Sequence, residues 1–306
     1  MIKALLVGIN KYGHGHDLQG CVNDVTIMRD ILIHRYKVPA SNVRMLVDHR
    51  ATATAIKERL NWLVTTATDK DTLLFWYSGH GSQIPNQPYT AGNDYEPDRL
   101  DEILCPVDLD WWRRVVRDDD INKVLYQVRH RMVLILDCCH SGSAARSLSS
   151  PVTPRYIEPP PDVISRFGSQ VDMTRVSGIA PPKVTTTSGD DLLAALFDNV
   201  EPGGNIISED KYIRHHLVKP NTLPPNVVVI TGCKDKQYSA DAFFGNRYQG
   251  ALSFMIQKAL LQADCNITYR DLHETVVALL KRYQFSQDPQ LNYADGSDIV
   301  DQIFLS

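Results

Sequence analysis

The sequence predicts an α/β protein built on a mostly parallel central sheet with helices on both faces. Three observations lead there. Short runs of consecutive apolar residues, the mark of strands buried on both sides, alternate with stretches of helical apolar spacing. The alternation runs βαβα, and parallel neighbours need such crossovers. The two stretches richest in reactive side chains, SGHG and DCCHSG, both follow strands, at the ends where such sheets bind ligands.

KALLVGI reads as the first strand, and VNDVTIMRDILIHRY then places Val22, Val25, Ile27, Met28, Ile31 and Leu32 at helical spacing. NVRMLVD is the second strand and TATAIKERLNWLVTTA the second amphipathic helix. DTLLFWYSGHG is a third strand that ends in a glycine-bracketed histidine; a helix around DINKVLYQVR precedes the fourth strand, MVLILDCC. From Arg146 to about Gly189 the chain is rich in Ser, Thr and Pro, and a loop this long inside a compact domain is functional or disordered. After the short amphipathic stretch DDLLAALFDNV, NVVVITGC resumes as a strand, followed by the helices GALSFMIQKALLQ and YRDLHETVVALLKRY. DIVDQIFL is read as an edge strand. A strand on each side of the long segment argues for one sheet completed across an insertion. The expectation is a single domain, 1–306, with parts 1–145 and 226–306 separated by a Pro/Ser/Thr-rich loop at 146–225.

The chain of 306 residues, 43% hydrophobic and 22% charged, has the composition of a soluble globular protein. A formal charge of −4 argues against a general nucleic-acid binder. No apolar segment approaches the ~20 residues of a membrane helix. Asn10 and Lys11 stand where a signal peptide would carry its cleavage site, so a cytoplasmic protein is expected. The six scattered cysteines fit reduced thiols in that compartment. A monomer is expected.

Strand parity organises the chemistry. Asp137 and Cys139 point to one side of the fourth strand and Cys138 to the other; Ser78 and His80 share a side of the third. If the two strands are neighbours, His80 can face Cys139 across a cleft, and a histidine beside a cysteine can take its proton and later protonate a leaving group. The glycines around His80 let a substrate backbone approach and leave N–H groups free for an oxyanion. Rival readings fit less well. Adjacent cysteines on opposite faces suit a zinc site poorly, a redox pair has two residues between its cysteines, and a phosphatase loop would need arginine where Ala145 stands. A cysteine hydrolase is the best chemical reading.

YSGHGSQ and DCCHSGSA resemble the two catalytic blocks of the metacaspases and orthocaspases, caspase-like cysteine peptidases. ALLVGINKY, LQGCVNDV, DEILCPVD, VVRDDDI and TGCKDKQYSADA match further family blocks in order. The resemblance implies a caspase-like α/β/α sandwich with large- and small-subunit-like parts. It implies Cys139 as nucleophile, His80 as general acid/base, and the N–H groups of Gly81 and Cys139 as oxyanion hole. It implies cleavage of proteins or peptides after Arg or Lys, with Cys21, Asp24, Ser78 and Asp137 lining the pocket. Two carboxylates suit a guanidinium or ammonium; on its own, Asp24 also reads as a helix-start acid favoured by the helix dipole. Activating calcium, without a part in the chemistry, maps to Asp101, Asp118 and Asp119, although acids here can equally cap the helix near Ile121. Arg146, Arg155, Arg166, Arg175 and Lys183 are candidate self-processing sites. The alternative function is a catalytically silent caspase-like scaffold or signalling module.

Overall fold

A computed structural model of the protein describes residues 1–85, 100–140, 152–166, 223–234 and 237–306. Its centre is a six-stranded sheet in the order β12-β9-β7-β3-β1-β2. The strands are β1 (Ile2–Gly8), β2 (Val43–Val47), β3 (Thr72–Ser78), β7 (Arg131–Asp137), β9 (Val227–Thr231) and β12 (Gln290–Tyr293). All neighbours pair in parallel except β12, which runs antiparallel to β9. The strands on either side of the long insertion, β7 and β9, are hydrogen-bonded neighbours.

Period-two alternation divides the core. Leu6, Trp76, Val133 and Ile135 face helices α1 (Cys21–His34), α5 (Ala251–Gln262) and α6 (Tyr269–Arg282). Leu5, Tyr77, Leu134 and Leu136 face α2 (Ala53–Thr65) and α3 (Asp118–Leu125). Both faces are therefore dry, which explains the near-continuous apolar strands.

Two small sheets flank the carboxyl ends of the central strands. One consists of β4 (Gly81–Pro85), β5 (Leu100–Leu104) and β6 (Val116–Arg117). The other joins the hairpin β10 (Ala240–Phe244) and β11 (Arg247–Gly250) to β8 (Thr153–Pro154). A short helix, α4 (Pro161–Arg166), follows β8.

The expected edge strand in DIVDQIFL is corrected. That stretch forms a 3-10 turn at Ile299–Asp301, and only Ile303 makes an isolated bridge, to Thr268. Its apolar residues Ile299, Val300, Phe304 and Leu305 are consumed by the core beside α6, and QLNY supplies the edge instead.

Candidate active site

β3 and β7 lie side by side with Ser78 opposite Asp137, so the chain segments after both strands emerge together. Cys138 packs in the core with Leu134 and Leu136, while Cys139 is buried on the side of Asp137. His80 is held at three points. Its N–H donates to the Tyr12 hydroxyl at 2.9 Å, the Tyr77 hydroxyl donates to its carbonyl at 2.7 Å, and its Nε2 lies 2.8 Å from the carbonyl of His16. A carbonyl only accepts, so Nε2 carries the proton and Nδ1 holds the lone pair. Nδ1 is buried with no hydrogen-bond partner. Burial lowers the His80 pKa to about 3, which keeps the ring neutral.

The Cys139 sulfur makes its contacts with residues after β9. It accepts from the Ser239 N–H at 2.5 Å and lies 3.7 Å from the sulfur of Cys233. The two residues expected as a dyad are thus gathered at one cleft without a hydrogen bond between them.

The expected pocket residues converge on Arg155, whose side chain is 0% exposed. Its Nη2 reaches Asp24 at 2.8 Å and Asp241 at 3.0 Å, and its Nη1 reaches Asp137 at 3.0 Å and the Ser78 hydroxyl at 2.7 Å. Burial works against the charge on Arg155, but the carboxylates of Asp137, Asp24 and Asp241 outweigh it and hold its pKa well above the ordinary value. Burial pushes the Asp24 carboxyl up to about 7, with Arg155 pulling it down and Asp137 pushing it up. Cys21, at the start of α1, is driven well above the usual thiol range by burial and lines the site as a neutral group. Asp137 is anchored by the Ser253 N–H at 2.9 Å and the Ser253 and Ser239 hydroxyls. Gly250 is required beside it, since a Cβ there would lie 2.2 Å from Asp137 Oδ2 and 2.3 Å from Arg155 Nη1.

The backbone of Arg155 is gripped as well. Its carbonyl oxygen accepts from the N–H groups of Gly81 and Cys139, both at 3.1 Å. Its own N–H donates to the Ser239 carbonyl at 3.1 Å, continuing the antiparallel pairing of Thr153 and Pro154 with β10. Residues 153–155 thus lie across the carboxyl end of the sheet as an added strand, with the Arg155 carbonyl in the pair of N–H donors expected as an oxyanion hole.

Arg146, Arg175 and Lys183 lie outside the described residues, and Arg166 ends α4. Of the calcium candidates, Asp101 and Asp119 border one surface hollow with Lys57, Arg117, Asp120 and Lys123, while Asp118 is buried in the first turn of α3. Arg117 binds Asp101 at 2.5 Å, and Lys57 binds Asp120 at 2.7 Å. Burial raises the Asp101 pKa against the pull of Arg117. Among the described residues no three metal-ligating side chains form a cluster. Of the acids in these segments, Asp101 and Asp120 are thus paired with the protein's own cations.

The metacaspase, peptidase C14 domain family matches residues 2–147. Metacaspase-1 of Pyricularia oryzae is 31% identical over 99% of this chain and 74% of its own length. Metacaspase-1B of Aspergillus oryzae is 31% identical over 97% of this chain and 68% of its own. The chain belongs to the metacaspases. It spans about two thirds to three quarters of these relatives, and the family is one of cysteine peptidases. A crystal structure of a Geobacter sulfurreducens protein shares the fold, with a TM-score of 0.59 at 20% identity over 97% of this chain and 94% of that one.

Three residues of this metacaspase site were not singled out from sequence: Ser239, Asp241 and Cys233. All three lie in TGCKDKQYSADA, a block that carried the resemblance without any role being drawn from it. Asp241 is fixed by the N–H groups of Gln19 and Gly20 at 2.8 and 3.0 Å, which aims its carboxylate at Arg155.

Proposed function

We propose that this metacaspase is an endopeptidase that cuts after Arg or Lys and makes a first cut in itself, between Arg155 and Tyr156. One observation carries the reading. Arg155 sits among three carboxylates while its carbonyl oxygen takes two backbone N–H bonds, from Gly81 and Cys139. An arginine kept only to neutralise buried acids needs the first set of contacts; the second holds a peptide carbonyl where negative charge develops during acyl transfer. Of the five basic residues expected as self-processing sites, Arg155 alone is selected by this reading.

The chemistry follows from positions already given. Cys139 Sγ turns from Ser239 and Cys233 toward the Arg155 carbonyl carbon and gives its proton to His80 Nδ1. A C–S bond forms, the carbonyl electrons move to oxygen, and the Gly81 and Cys139 N–H groups hold the resulting charge. Collapse breaks the bond to the Tyr156 nitrogen, which takes the proton from His80. A water deprotonated by His80 then hydrolyses the thioester. The His16 carbonyl keeps the proton on Nε2 and so keeps Nδ1 available. Basic specificity follows from the pocket of Asp24, Asp137 and Asp241, with Ser78 as a neutral acceptor.

Calcium enters this reading only as a ligand that would have to displace Arg117 from Asp101, and no step is routed through it. A cytoplasmic monomer acting on proteins or peptides remains part of the proposal on the grounds given by the sequence. The test is hydrolysis of coumarin peptides ending in Arg, Lys or Asp, with N-terminal sequencing of any fragment. Turnover of the Arg and Lys peptides and a fragment starting at Tyr156 are expected. No turnover and no fragment would leave the silent scaffold as the better reading.

A further inference from the structure

The chain beyond Arg155 is bound as closely as Arg155 itself. Tyr156 bridges Gly81 in parallel, the Ile157 N–H donates to the Gly81 carbonyl at 3.1 Å, and the Ser82 hydroxyl donates to the Ile157 carbonyl at 2.6 Å. With the bond from Gly81 N–H to the Arg155 carbonyl, residues 155–157 add a short parallel strand to the start of β4. Such backbone pairing gives affinity and register but reads no side chain. The side chain of Ile157 supplies what the backbone does not. It is buried in a small apolar cluster, separate from the two main cores, with Ile84, Ile103, Cys105, Val115 and Val163.

The cluster stands on the sheet that begins at Gly81, next to His80. Its walls come from β4, β5, the residue after β5 and the residue before β6, and all belong to the body of the protein except Val163 of α4. The distance between oxyanion donor and hollow is therefore set by one short strand, which fixes how many residues separate the cut bond from the side chain that enters.

We propose that this hollow is a specificity subsite for the residue two positions after the cut, and that it takes an aliphatic side chain. The enzyme would then select Arg or Lys, any residue, then Ile, Val or Leu, with Ile157 filling the subsite in the uncut chain. The proposal rests on the peptidase reading above and adds a selection that the basic pocket cannot make.

The test uses the active protein and internally quenched peptides identical except at the second position after Arg, where they carry Ile, Leu, Phe, Gly or Asp. An Arg–coumarin peptide, which has no residue at that position, is the reference. Filling an apolar pocket changes kcat/KM by roughly tenfold or more. Ile and Leu peptides are expected about tenfold above Gly, with Asp lower still. In an Ile103→Ala variant, each rate taken relative to Arg–coumarin, preference is expected to move from Ile toward a Phe peptide. Rates within twofold across the series, while Arg–coumarin is turned over, would overturn the subsite and leave the peptidase reading standing. No turnover of Arg–coumarin would overturn both. The wild-type series decides the matter even if Ile103→Ala does not fold.

Discussion

Arg155→Gln removes the cation shared by Asp24, Asp137 and Asp241, all within 3.0 Å of its guanidinium. Removing one partner of a buried ion pair costs about 3–5 kcal/mol. Protonation gives the acids a way to relieve part of this. Asp24 already stands at about 7 and goes higher without Arg155, so at pH 6 it takes up a proton at little cost. Each pH unit above the wild-type value adds about 1.4 kcal/mol until the variant's own raised pKa is reached. The sign follows: an acid with a raised folded pKa loses its stabilising contribution as pH rises through that pKa, and the variant's lies higher than the wild type's. The assay is urea unfolding of Cys139→Ala protein, which stays uncut, with and without Arg155→Gln, at pH 6 and 8.5. The expected gap is about 3–5 kcal/mol at pH 8.5 and clearly smaller at pH 6. In protein with Cys139 intact, Arg155→Gln should yield no fragment beginning at residue 156. A gap below about 1 kcal/mol at both pH values, within the range of an exposed pair, would refute the electrostatic reasoning. A fragment beginning at residue 156, formed at the wild-type rate, would refute the assignment of the cut.

Cys139→Ala should abolish both peptide turnover and the Tyr156 fragment, whereas Cys138→Ala, whose side chain lies in the opposite core, should keep both when assayed side by side. Asp24→Asn should lower kcat/KM for Arg peptides at least tens-fold, since losing one partner of a desolvated charge pair costs about 2–5 kcal/mol. In the wild type, kcat/KM should fall as pH drops through the free enzyme's Asp24 pKa, which lies at or above the about 7 it has beside Arg155, and a pH profile of Asp24→Asn should lack that limb. Gly81→Ala should eliminate turnover in a protein that still unfolds cooperatively, because its Cβ would lie 2.1 Å from the Cys139 carbonyl oxygen and force the oxyanion donors apart.

The central strands were legible because burial on both faces leaves apolar runs that few other structures produce. The outer edge was not: Gln290–Tyr293 is short and mixed, whereas the apolar residues of DIVDQIFL serve a turn packed on the core. At the site, parity alone separated Cys139 from Cys138, and Asp24, Ser78 and Asp137 followed from the family blocks. Arg155 was visible only as one of five basic residues in a long segment, since nothing local tells a pocket-bound arginine from a solvated one. Asp241 depends on a hairpin folding back onto Gly20, 221 residues away, and no short window carries that contact. Of the acids that looked like a cation site, Asp101 is held by Arg117, 16 residues further along the chain, and Asp120 by Lys57 of α2, and no short window carries either pairing.

The pairing of β7 with β9 has a consequence for how the protein would age after a cut. Both strands stay hydrogen-bonded in the sheet whether or not residues 146–225 still join them, so a nick after Arg155 would leave the folded body whole. Its effect falls on the unfolded state. An uncut chain brings its two parts together as an intramolecular closure, which grows only slowly more costly with length. A nicked chain has lost that tether and must meet its partner by diffusion, at an effective concentration set by the solution. The cut form would therefore unfold at a temperature that depends on protein concentration and would fail to recover on dilution, while the uncut Cys139→Ala form would show neither behaviour. Self-cleavage would then be a one-way step in a second sense: it opens the pocket and removes the covalent memory needed to rebuild it.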